Sequence, residues 1–150
     1  MIIGTYNFIK VCNLSPERDE KGNLKTFMPQ SRYSNQKSLP LNKYGHGPFC
    51  KFKIPSTYKT SGVYAIVAND EIKYIGECVN LSSRYNMGYG IISPRNCFKG
   101  GQETNCRINN LILQETSQSN HLYLWFFETD DYKNIESPLL SNRNPEWNKT

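Results

Sequence analysis

Histidine is nearly absent from this chain of 150 residues: there are two, His46 and His121, and neither is spaced from a cysteine as the ligands of a zinc finger are. Five cysteines, at positions 12, 50, 78, 97 and 106, form no C-x-x-C pair, and the odd count leaves at least one thiol over in any disulfide scheme. These shortages argue against a structural zinc centre and a disulfide framework. A reducing compartment, with the thiols packed as small hydrophobes, is the simpler expectation. No apolar run approaches the ~20 residues of a membrane span, and residues 1–14 have neither the basic start nor the long apolar stretch of a secretory signal. A soluble, cytoplasmic protein without a membrane partner is expected. The nearest thing to a phosphate-binding glycine loop, Gly100-Gly101-Gln102 beside Lys99, lacks the G-x-x-x-x-G-K-[ST] spacing, so nucleoside triphosphates find no support. There is no internal repeat and no low-complexity tract.

Acidic residues are scarce in one half only. Residues 1–60 hold ten Lys or Arg against three acids, Glu17, Asp19 and Glu20, whereas residues 61–150 hold eight against ten. The excess is interleaved with Phe27, Tyr33, Tyr44, Phe49 and Phe52. That is the composition of a phosphate-tracking arm, with Lys43, Lys51 and Lys53 as candidate contacts. A solvated basic face is the plainer reading of the same charges. With 37% hydrophobic residues, ten Tyr, seven Phe and two Trp, the length suffices for one real core and is too short for two comfortable ones. The expected organisation is a basic N-terminal extension over 1–60, forming a DNA-embracing arm if the first reading holds, and one folded domain over 61–150.

Within that domain, residues 62–68 and 71–75 are β-branched and aromatic runs that read as an antiparallel hairpin closed at Asn69-Asp70. Residues 80–88 suit a short helix capped by Asn80, and Thr104 can cap a helix in which Ile108, Leu111, Ile112 and Glu115 recur at helical spacing. Residues 121–128 form the most hydrophobic run, expected as a strand buried on both faces. A last helix could be capped by Asp130, Asp131 or Asn134. Pro138, tolerated in a first turn and costly deeper in, favours a start near Asn134. Upstream, residues 5–14 have the content of a strand, 29–48 of a long loop and 49–54 of an edge strand. The class is α+β.

Two tripeptides stand in the hairpin, Gly62-Val63-Tyr64 and Tyr74-Ile75-Gly76. Arg84 follows on the short helix, Glu136 near the start of the last helix, and Asn148 in the tail Asn144-Pro145-Glu146-Trp147-Asn148. In that order these residues resemble the catalytic set of the GIY-YIG nuclease family, with Val for Ile in the first motif. The stretch from Ser93 to Asn109 looks like a linker found in a branch of the family that includes restriction endonucleases. The resemblance covers residues 62–148 and says little about residues 1–60. It implies a small three-stranded antiparallel sheet flanked by helices. It also implies a metal-dependent endonuclease acting on double-stranded DNA, restriction-like and homodimeric. The rivals are a repair or mobile-element nuclease, and a nucleic-acid-binding module without catalysis.

The chemistry fits those residue types. Glu136 can offer a hard oxygen to Mg²⁺ or Mn²⁺, which needs only one or two carboxylates besides water and substrate oxygens; the competing reading is a helix cap or a partner of Arg107. Arg84 presents a planar donor fork to a phosphate. The resemblance gives Tyr64 the role of base. A free phenol titrates near ~10, so that role calls for a nearby cation, the metal or Lys73, although Lys73 directly precedes Tyr74 and points to the opposite sheet face unless a bulge intervenes. Asn148 can hydrogen-bond a catalytic tyrosine or a phosphate oxygen. Further DNA contacts are expected from Lys73, Arg95, Lys99 and Arg107, with Gln102 or Asn105 able to reach a base edge. Many family members carry His or Tyr four residues after the arginine, where this chain has Gly88; Tyr85 and Tyr89 are the nearest substitutes.

Overall fold

The computed structural model describes residues 1–32 and 39–149, so Tyr33 of the basic segment and part of the expected 29–48 loop lie outside the described residues. The strands are β1 (Ile2–Ile3), β2 (Tyr6–Asn7), β3 (Ile9–Asn13), β4 (Gly62–Ala68), β5 (Glu71–Cys78) and β6 (Leu122–Glu128). The helices are α1 (Leu81–Arg84), α2 (Glu103–Ser117) and α3 (Tyr132–Arg143). The class is α+β, with antiparallel pairing throughout. The main sheet has four strands in the order β3-β6-β4-β5, where three were expected. The additional strand comes from the N-terminal segment: β3 pairs with β6, Ile9 opposite Phe126 and Asn13 opposite Tyr123. Without β3, the Leu-, Trp- and Phe-rich β6 would present an unpaired backbone edge, a liability that a short covering strand removes.

The chain gathers into two compact units that do not follow a cut at residue 60. The first takes residues 1–14, 54–84 and the chain from Asn120 onward; the second takes 15–53 and 85–119. In the first, β4 is buried along its whole length between β5 and β6, and one sheet face packs Val63, Ala65 and Ile75 against Ile135 and Leu139 of α3, with Ile3 and Phe8. Burial of an aliphatic side chain of this size contributes about 1.5–3 kcal/mol. In β6, Leu122, Leu124 and Phe126 are fully buried while Tyr123, Trp125 and Phe127 are only half-buried, so the expected two-sided burial holds fully on one face.

α3 begins at Tyr132, two residues before the expected start, and carries Pro138 in its second turn. The missing N–H and the ring clash typically cost ~3 kcal/mol. The Asn134 Nδ2 bond to Asp131 Oδ1 (2.6 Å) and burial of Ile135 and Leu139 offset this. The hairpin turn falls at Asn69-Asp70 as expected, both residues at positive φ (52° and 63°), a conformation that Asn and Asp tolerate better than other side chains.

The second unit has no strand over residues 49–54; Phe49 makes only an isolated bridge to Phe27. Phe49, Ile92, Cys97, Phe98 and Cys106 form its core. α2 begins at Glu103, with Gln102 rather than Thr104 at the cap position. Its fully buried Asn109 replaces a missing strand partner: Oδ1 accepts from Cys50 N–H (2.9 Å), and Nδ2 donates to the carbonyls of Cys50 (2.9 Å) and Tyr89 (2.8 Å).

Candidate active site

β4 and β5 hold the two tripeptides in register, Tyr64 opposite Gly76 and Ile66 opposite Tyr74. Directly opposed residues share a face and neighbours along a strand alternate. Tyr64, Tyr74 and Gly76 therefore leave one face, and Val63, Ala65, Ile75 and Glu77 leave the other. The Tyr64 and Tyr74 rings stand 6.1 Å apart, within the range of favourable aromatic contact. Both motif glycines have a steric reason. A Cβ on Gly76 would collide with the Tyr64 phenol, and one on Gly62 with the Phe127 carbonyl and the Phe126 ring. Gly76→Ala should destabilise the protein by ~1–3 kcal/mol, the usual cost of overpacking, and should shift the Tyr64 ring. Denaturant unfolding and the ring's NMR shifts check this; an unchanged midpoint and spectrum would contradict the placement of Tyr64.

On the other face, α3 presents Glu136 beside the buried Ile135. Glu136 is half-buried. Burial pushes its carboxyl above the ordinary range, the negative charge of Glu77 pushes it further, and the Arg84 guanidinium pulls it back. Arg84 is exposed at the end of α1, whose first turn is capped as expected by Asn80 Oδ1 accepting from Ser83 N–H (3.0 Å). Its charge also reaches the opposite face. The Cys78 thiol, raised to about 11 mainly by burial, is lowered in part by Arg84. Arg84 thus sits where the tyrosine face and the carboxylate face both feel it.

β5 is an edge strand, and Asn148 completes that edge. Its Nδ2 donates to the Ile75 carbonyl (2.8 Å) and its Oδ1 accepts from Ile75 N–H (3.0 Å), as a neighbouring strand would. Buried Trp147 anchors this turn of the tail. These bonds set Asn148 against the backbone between Tyr74 and Gly76. A bulge in β5 makes Lys73 the extra residue between the pairs Ile66–Tyr74 and Val67–Ile72, so simple alternation fails there. Its ammonium pairs with Glu71 (3.1 Å) and Glu146 (3.2 Å).

The remaining candidates lie in the second unit, where the sequence places eleven Lys or Arg against five Asp or Glu. Lys43, Lys53, Arg95, Lys99 and Gln102 are exposed and Lys51 is half-buried, its ammonium 4.2 Å from the centre of the Phe27 ring. Arg107 and Asn105 are buried: the Arg107 guanidinium lies 5.8 Å from the Tyr44 ring centre, and Asn105 Nδ2 donates to Gln102 Oε1 (2.9 Å). Phe49 and Phe52 are likewise core residues. Of the two substitutes for the residue at Gly88, both Tyr85 and Tyr89 are buried, packed edge to face at 5.1 Å in the π-helical segment Tyr85–Tyr89.

Glu77 is the site residue that the sequence analysis did not single out. The signal was a carboxylate directly after the second tripeptide, on the face alternate to Tyr74. Its Oε2 is buried and has no hydrogen-bond partner among the described residues. No group of three or more His, Cys, Asp or Glu gathers there or elsewhere among the described residues. Nor is any helix among them long and apolar enough to cross a membrane.

No family model matches the chain, and no curated protein matches it. Among solved structures the chain is similar to a mutant form of EndoII from bacteriophage T4, with 23% identity, a TM-score of 0.52, and coverage of 73% of this chain and 86% of that one. What the two share at this level of identity is the fold, an α+β architecture built on an antiparallel sheet.

Proposed function

We propose that the protein is a metal-dependent endonuclease of the GIY-YIG type that hydrolyses phosphodiester bonds in double-stranded DNA. The observation that carries this reading is that the charges of Arg84 and of Glu77, the residue after the second tripeptide, both act on Glu136, while Tyr64 and Tyr74 pack together on the other face of the same hairpin. The fold likeness to EndoII of phage T4 agrees with it. Arg84 is exposed and carries a permanent fork of donors, suited to the scissile phosphate and to the charge that develops on it. Tyr74, half-buried on the edge strand, orients the attacking water, while Tyr64, fully buried against it, holds that ring in place and would take the water's proton only as a phenolate. Asn148 fixes the β5 backbone on both sides of Ile75 and so fixes the angle at which Tyr74 leaves the sheet. Glu136 fits a hard divalent cation, Mg²⁺ or Mn²⁺, because a half-buried carboxylate destabilised by a like charge gains most from a cation. Bound there, the cation supplies positive charge to the phosphoryl and leaving oxygens and eases ionisation of the water.

DNA affinity comes from Lys43, Lys51, Lys53, Arg95 and Lys99, with Gln102 reading a base edge. Neutralising Lys43, Lys51 and Lys53 together should weaken binding and reduce the slope of log K against log salt by roughly three units, about one per phosphate contact. A filter-binding or anisotropy titration over salt measures this; an unchanged slope would show that these lysines do not touch the backbone. Because each chain carries one site, cutting both strands of a symmetric sequence calls for a two-fold dimer. The restriction-like reading is tested by incubating plasmid and linear DNA with protein and Mg²⁺. Discrete bands support site specificity, and a smear supports the second reading, a less selective nuclease. DNA left intact across several substrates and metals overturns the proposal.

A further inference from the structure

Glu77 faces the cover of α3. It follows Ile75 by two residues and stands opposite Val63, and both of those side chains pack against Ile135 and Leu139. Glu136 lies between those two helix residues in sequence, directly after Ile135. The two carboxylates are close enough for the charge of Glu77 to act on Glu136. One oxygen of Glu77 is withdrawn from water with no donor among the described residues. Burying an acceptor without a partner costs about 1–3 kcal/mol, and more for a charged group, while two neighbouring carboxylates add repulsion. The Arg84 guanidinium offsets part of the penalty on Glu136, and a divalent ion held between the two carboxylates relieves both their repulsion and the unpartnered oxygen of Glu77. Mg²⁺ and Mn²⁺ are suited to it, since they take one or two carboxylates and fill the remaining positions with water and substrate oxygens.

Resting on the assignment of Glu136 to a divalent cation above, we propose that Glu77 is a second carboxylate ligand of the same cation, contributed by β5 as Glu136 is by α3. The two residues then act as a dianionic pair, and the affinity of the free protein for the ion depends on both.

The test is Mn²⁺ binding by the protein, followed by electron paramagnetic resonance and by calorimetry, in the wild type, Glu77→Gln and Glu136→Gln. Glu77→Gln should lower Mn²⁺ affinity about tenfold to a hundredfold, the range seen when groups that support a metal site are lost. Its melting temperature without metal should equal or exceed that of the wild type, because an unpaired and repelled charge has been removed, while the rise in melting temperature on adding Mn²⁺ should shrink. Cleavage by this variant should recover at high Mn²⁺. Wild-type affinity in Glu77→Gln alongside weakened binding in Glu136→Gln would overturn this inference and leave the Glu136 assignment standing. Wild-type affinity in both variants, or no uptake by the wild type with or without a duplex, would remove the Glu136 assignment as well. A Glu77→Gln protein that fails to fold, or that melts well below the wild type without metal, would show that Glu77 serves the fold and overturn the inference.

Discussion

Replacing Glu136 with glutamine should slow DNA cleavage about a thousandfold or more and leave the protein folded. A cation that stabilises charge in the transition state contributes several kcal/mol, and each ~1.4 kcal/mol is a factor of ten in rate. Glutamine keeps the size and hydrogen-bonding capacity of the side chain and removes the charge that a divalent cation requires. The stability expectation follows from the direction in which Glu136 is shifted. Its carboxyl is raised in the folded protein, first by burial and then by Glu77. The folded state therefore binds this proton more tightly than the unfolded chain does. The stability that this preference contributes is present below the unfolded carboxylate range and is lost as pH rises through the raised value, so at neutral pH the ionised side chain is a burden on the metal-free fold. Glu136→Gln should thus melt at or above the wild type at neutral pH without metal, and the difference should shrink as the pH falls. If the residue were a structural partner instead, its loss would cost ~3–5 kcal/mol and cleavage would fall only with the folded fraction. The cation beside it in the structure is Arg84 rather than the Arg107 considered from sequence.

Arg84→Lys should reduce the maximal rate by roughly a hundredfold to a thousandfold, with much less effect on DNA affinity. Lysine keeps the charge and loses the planar fork, so a loss of that size separates geometric recognition of the phosphate from mere electrostatic attraction. The side chain is exposed at a helix end and its backbone N–H bonds to the Asn80 carbonyl in either variant (3.0 Å in the wild type), so the fold should be indifferent to the change. Single-turnover rates and equilibrium binding, measured side by side, check this. A wild-type rate in the Arg84→Lys protein would place Arg84 outside the reaction, among the surface cations that only attract DNA.

The hairpin, its turn and the capped helix after it were legible in the sequence because their signals are local. β-branched alternation, Asn-Asp at a position that needs positive φ, and Asn80 three residues before Ser83 each act within a few residues. The glycines of the two tripeptides were legible as motif letters only. Their reason, room for the Tyr64 ring across β5 and for the Phe127 carbonyl, is a contact between strands. The fourth strand was visible as a strand-like run, but its pairing with β6 joins residues more than a hundred positions apart, which no local pattern encodes. The same holds for the second unit, where residues 15–53 and 85–119 share one core. α3 started earlier than Pro138 suggested because tertiary burial of Ile135 and Leu139 overrides a local penalty. Glu77 escaped notice for the plainest reason: a lone acid on a strand reads as solvated until the helix that covers it is in place. Other expectations went the other way: Phe49 and Phe52 of the expected arm, and Asn105 and Arg107 beyond it, looked available for nucleic acid and are buried.

The central claim is that Tyr64, Tyr74, Arg84 and Glu136 form one metal-dependent active site for DNA hydrolysis. The most direct measurement is a single-turnover assay with excess protein over an end-labelled duplex or supercoiled plasmid, run with Mg²⁺, with Mn²⁺ and with a chelator, for the wild type and Glu136→Gln from matched preparations. The account predicts strand cleavage by the wild type with either ion, none with the chelator, and at least a thousandfold slower cleavage by the variant at undiminished DNA binding. Cleavage that persists in the chelator, or a Glu136→Gln protein that cuts as fast as the wild type, would contradict it.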